Sequence, residues 1–150
     1  MTDVITSRGA FLRDDNSIPI TNIGLSQKKS ITYVATTTGA TGPTTLFTVT
    51  GVVVARVFGI VSGANLTGTG TLEVGIAGNT ASLIAQTTGT NLDIGHIWID
   101  NSPATVELLP SASILSNTNI IQTIAGNTIT AGTITYYCLW SPITTDGNVT

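Results

Sequence analysis

The chain has 150 residues and a formal charge of -3, and it is 41% hydrophobic yet only 9% charged, where an ordinary soluble domain carries roughly 25% charged residues. That length fits one domain with one core, and the five cations Arg8, Arg13, Lys28, Lys29 and Arg56 are too few to neutralise a phosphate backbone, which excludes nucleic acid as an expected partner. No stretch approaches the roughly 18 uninterrupted apolar residues of a membrane helix, and MTDVITSRGAFLRDD lacks the apolar run of a secretion signal, so neither a membrane nor a secretory route is expected.

In chain order, residues 1–29 hold four of the five cations and three of the eight acids, with the run RDDNS, Pro19 and no sustained periodicity. They read as an extended N-terminal arm. From Ser30 the pattern changes to strand and turn, and residues 30–150 are expected to form the folded domain. SITYVATT alternates, GATGP is a loop, and LFTVT resumes a strand. GVVVARVFGIV is long and β-branched, which suits a central strand, with Arg56 and Phe58 on one face and Val57 on the other. In TLEVGIA, Leu72, Val74 and Ile76 point one way and Glu73 the other. Further strands are expected at 81–85, 94–99, 106–109, 114–115 and 119–125, and in TITYYCLW, where Ile134, Tyr136, Cys138 and Trp140 line one face.

No run is long enough and free enough of Gly, Thr, Pro and β-branched residues to support an ordinary helix. The pentapeptide IAGNT occurs twice, at 76–80 and 124–128. Gly and Asn tolerate positive φ, so each copy predicts a tight turn leaving an alternating strand, and together they predict two similar hairpins. About eight short strands at this spacing predict an all-β fold: an antiparallel β-sandwich, jelly-roll-like, with the arm in front.

Chemistry is sparse. The single histidine, His96, lies between Asp93 and Asp100, but on a strand it shares a face with Ile94 and Trp98 while Asp93 points away, so these groups do not converge on a metal or a proton. Cys138 is the only cysteine and sits in an apolar run, where it reads as a small buried hydrophobe. The turns around Asp14, Asp15 and Asp146 offer oxygen ligands without the spacing of a calcium loop. Asn65 and Asn148 match a glycosylation pattern that matters only in a secretory pathway. No phosphate-binding, zinc-hydrolase or nucleophile-elbow motif occurs, so no residue is assigned a catalytic, cofactor-binding or metal role, and no enzyme activity is expected. Of the large aromatic residues, Tyr136 and Trp140 are expected in the core, with Tyr137 on a sheet surface or interface.

The stretches TLFTVTGVVVARVFGIVSGANLTGTGTLEVGIAGNTASLIAQTTGTNLDIGHIWID and AGNTITAGTITYYCLWSPITTDGNV resemble small Thr/Gly-rich β proteins encoded among the head genes of tailed bacteriophages, over roughly residues 44–149. The resemblance implies a structural virion protein: a head decoration, or minor capsid, protein made in the host cytoplasm. It would bind the major capsid protein on the outer surface of the shell as a homo-oligomer, with a trimer favoured. A tail or fibre protein, or a carbohydrate-binding module, is the alternative.

Overall fold

The computed structural model describes residues 25–150 together with two short pairs of residues nearer the start. Those pairs, β1 (Ile5–Thr6) and β2 (Gly9–Ala10), form a small antiparallel ladder. The rest of the expected arm lies outside the described residues.

Two five-stranded antiparallel sheets make up the described fold, which is β-sandwich-like. The first sheet runs in the order β12 (Asn148–Val149), β4 (Gly42–Thr50), β10 (Asn119–Ala125), β6 (Thr71–Ile76), β7 (Asn79–Thr88). The second runs β3 (Leu25–Thr32), β11 (Thr133–Pro142), β5 (Val52–Val61), and then β8 (Ile97–Trp98), with β9 (Ser113–Ser116) beside another stretch of β5. A 3-10 turn, Gly89–Asn91, follows β7. Apart from the β6–β7 hairpin and the β8–β9 pair, each connection from β3 to β12 passes from one sheet to the other.

Period-2 alternation explains why these segments are strands and which faces they bury. In β11 every second residue from Ile134 to Trp140 is buried, and β5 buries Val53, Ala55, Val57 and Val61 on the same side. From the other sheet Leu72, Val74, Ile84, Ile120 and Ile124 meet them. Each such side chain contributes about 1.5–3 kcal/mol relative to exposure. In β4 the alternation breaks: Leu46 and Phe47 are both buried because the pairing with β10 skips Leu46, a bulge that turns two consecutive side chains inward.

The core also holds one polar bridge between the sheets. Gln122 of β10 is fully buried, and the hydroxyls of Tyr33 and Tyr136 each donate to its Oε1 at 2.5 Å, with the two hydroxyl oxygens 3.0 Å apart. Burial pushes both phenols above their ordinary value; for Tyr136 the neighbouring Tyr33 adds to that rise.

The corner between β4 and β5 is a single residue, Gly51, at φ 63. Asn117 clasps it from both sides: its Oδ1 accepts from Gly51 N at 2.9 Å, and its N–H donates to Gly51 O at 3.0 Å. A Cβ on Gly51 would stand 2.6 Å from Asp146 Oδ1 and 2.7 Å from Thr144 Oγ1, so both the dihedral and the space require glycine.

Four expectations change. Leu25–Lys29, read with the arm, belong to β3 and pair with β11, because an edge strand held by backbone bonds needs little apolar alternation. Residues 94–99 are not one strand: Asp93 to His96 form a turn with Gly95 at φ 85, leaving only Ile97–Trp98 extended. Residues 106–109 lie in the long β8–β9 loop, with Pro103 before them and Pro110 after. The two IAGNT copies also differ. The first is a two-residue hairpin turn in which Ile76 faces Asn79 and Gly78 takes φ 88. The second ends β10 with Gly126 at φ 74 and sends the chain toward the other sheet past two connecting loops, Ile129 N bonding Gly39 O and Thr130 N bonding Thr67 O. Identical letters make a hairpin only where the following residues pair back on the same strand.

Candidate functional site

The residues weighed for chemistry do not gather. His96 Nδ1 lies 3.1 Å from the carbonyl of Asn91, which ties the ring to its own loop, while the Asp100 carboxylate accepts from Ser102 N at 2.7 Å in a separate turn. Asp146 packs over the Gly51 corner. Cys138 is fully buried, and desolvation pushes its thiol up to about 12. The acids Asp14 and Asp15 lie outside the described residues. Among the described residues no three His, Cys, Asp or Glu side chains stand close enough to share a metal ion. A shallow neutral groove of about 250 Å³ opens between Thr48, Val49, Asn117, Thr118 and Asn119.

What stands out is the outward face of the second sheet. Its register places Ser26, Leu139 and Arg56 in one row and Lys28, Tyr137 and Phe58 in the next. Ser141, Val54 and Ile114 form a third row, on the side of Arg56 away from Phe58. Tyr137 and Phe58 stack with ring centroids 5.2 Å apart and planes 14° from parallel. Val54, Phe58, Tyr137 and Leu139 are half-buried and Ile114 is exposed. Toward the other end of these strands the face turns to hydroxyls: Ser30 bonds Thr135 at 2.8 Å and Thr32 bonds Thr133 at 3.0 Å. The face therefore has an apolar end bearing Arg56 and Lys28, and a hydroxyl end.

The apolar end continues onto the sheet edge. β8 pairs β5 at Gly59 and Ile60, β9 pairs it from Val52 to Ala55, and the loop 99–112 joins the two. Ala104 bridges back to Ile97, so the segment from there to Ser113 runs along that margin. It carries Val106 at 84% exposure, Leu108 at 86% and Leu109, and β9 adds Ile114 at 72%. Four of the seven large hydrophobic side chains exposed among the described residues thus fall within residues 106–114, a stretch held to this edge at Ala104 and again by β9.

The opposite sheet presents something different outward. There Thr45, Thr71, Thr123 and Glu73 accompany Ile121, and the Glu73 carboxylate accepts from the side chains of Thr80 and Gln86.

From the sequence, Arg56 and Phe58 share one face of their strand and Tyr137 lies opposite Tyr136 and Trp140; the structure shows that these faces are outward and brings Phe58 and Tyr137 together. The exposed 106–109 segment is the part sequence reasoning missed; the flanking prolines were the signal, since proline ends strands and brackets loops. Comparison of the chain with family models, curated proteins and solved structures finds no match.

Proposed function

We propose that this chain is a non-catalytic structural virion protein of a tailed bacteriophage, a head decoration or cementing protein that binds the major capsid protein on the outer surface of the shell as a homo-oligomer. The observation that carries this reading is the outward face of the second sheet, where Val54, Phe58, Tyr137 and Leu139 surround Arg56 and Lys28, with its exposed apolar margin, on a molecule whose surface is otherwise rich in hydroxyl side chains. A face of that kind gains by being covered, and its two cations can stay at the rim of the contact or pair with acids of the partner.

The strand orders β3-β11-β5-β8 and β4-β10-β6-β7, with the chain crossing between sheets at nearly every step, fit a jelly roll extended by β12 beside β4. That architecture recurs in capsid proteins and in lectins. The Phe58–Tyr137 pair weighs against a glycan platform, because rings stacked on each other leave no broad aromatic surface on which a sugar would lie. We further propose that the segment before β3, with Phe11, Leu12, Ile18, Ile20 and Ile23, adds to the grip on the shell.

The test is co-sedimentation of the purified protein with expanded phage heads assembled without it. Saturable pelleting at a fixed number of copies per head is expected, reduced when residues 1–22 are removed. A protein that stays in the supernatant at every concentration, yet binds tails or a glycan array, would overturn the head assignment.

A further inference from the structure

The four outer edges of the sandwich are not equally protected. β3 carries Lys28 and Lys29, both exposed, and a like-charged edge repels its own copy. β12 is two residues long. β7 is longer, but its pairing with β6 slips register twice, and Asn79, Ala81, Ser82, Ala85 and Gln86 are what it exposes. β9 has none of these defences. Among the described residues its only strand partner is β5, it contains no charged residue, and it turns Ile114 outward beside the exposed Val106, Leu108 and Leu109, with Glu107 as the one charge on that margin.

We infer that the β9 edge is a subunit interface that pairs with β9 of a second copy of this chain, antiparallel about a two-fold axis. A second copy is the occupant that the charge pattern favours, since an uncharged edge can face itself without repulsion whereas the β3 edge cannot. The register follows from the pleat. Residues directly opposite in an antiparallel pair share a face, and Ile114 is outward while Leu115 is buried, so the axis must pass through a residue and not between two. Centred on Leu115, the pairing would need Asn117 extended, and among the described residues Asn117 is the one non-glycine residue at positive φ, 42°. Centred on Ile114, it pairs Ile114 with itself and Ser113 with Leu115 of the second copy. Both copies then point their Val54, Tyr137 and Leu139 side chains to the same side, giving one continuous apolar face of twice the width. The contact is isologous, so it closes at two copies instead of growing into a fibre.

This goes beyond the decoration reading and does not depend on it. Ile114→Cys tests the register: directly opposite residues have Cα atoms about 4.5–5.5 Å apart, within disulfide reach. The native Cys138 is fully buried and gives no background. Under mild oxidation Ile114→Cys is expected to run as a disulfide-linked dimer on non-reducing gels, while Lys28→Cys on the opposite edge stays single. Light scattering at about 100 μM should return two copies for the wild type and one for Ile114→Lys, with unchanged circular dichroism. A wild-type mass of one or three copies, or cross-linking of Lys28→Cys as fast as Ile114→Cys, would overturn the interface. An intact dimer that fails to bind heads would overturn the decoration reading alone.

Discussion

The two sheets bury their inward faces in the same way and differ on the outside. Inward, both bury mainly Val, Ile, Leu and aromatic residues in alternation, interrupted at the Leu46–Phe47 bulge, and the buried Gln122 accepts at Oε1 from two tyrosine hydroxyls. Outward, the first sheet shows Thr45, Thr71, Thr123 and Glu73 around a single large apolar residue, Ile121, whereas one end of the second shows Val54, Phe58, Tyr137, Leu139 and Ile114 around Arg56 and Lys28. Folding constrains the inward positions and leaves the outward ones open. An outward set richer in apolar side chains, where a one-sided antiparallel sheet normally meets water, is what supports the proposed contact.

The largest effects should come from breaking what the sheets have in common. Leu72→Ala in the first and Ile134→Ala in the second are both fully buried truncations, and each should cost about 2–5 kcal/mol in urea unfolding followed by tryptophan fluorescence. Gly51→Ala, at the corner that joins the sheets, should cost roughly 2 kcal/mol from the left-handed backbone alone, and more if Asp146 and Thr144 cannot move aside.

Alkali acts on the shared core too. The Cys138 thiol is held at about 12 in the fold against an ordinary 9.0, so folding favours its neutral form. That stabilisation is complete below pH 9 and is lost as pH rises toward 12; the buried hydroxyls of Tyr33 and Tyr136 act in the same direction from their ordinary value of 10.0 upward. Urea midpoints should therefore fall progressively above about pH 9, and the thiol should resist an aromatic disulfide reagent at pH 8 until the protein unfolds. The smallest stability changes belong to the outward faces: about 1 kcal/mol for Phe58→Ser, which loses its stack with Tyr137, and about 0.5 kcal/mol or less for Thr123→Ser.

Much of the fold was legible because alternation is a local signal. β11, β6 and the long central β5 could be read from their letters, and so could the inward position of Tyr136 and Trp140. The start of β3 was not, since Lys28 and Lys29 are adjacent and exposed, and that segment is extended because β11 offers it hydrogen bonds. The second IAGNT misled for a related reason: its course depends on Gly39 and Thr67, far away in sequence. For the candidate face, single-strand reading could place Phe58 and Tyr137 outward but could not bring them together. Their stacking, and their nearness to Leu139 and Arg56, depend on the register between β5 and β11.

One measurement tests the central claim most directly: co-sedimentation with phage heads of two matched double variants, Tyr137→Ser with Leu139→Ser on the second sheet, and Ile121→Ser with Thr123→Ser on the first. Both pairs lie on outward faces and should leave the far-ultraviolet spectrum unchanged. The second-sheet variant is expected to lose at least tenfold in affinity while the first-sheet variant binds as the wild type does. Equal binding by both, or loss confined to the first-sheet variant, would contradict it.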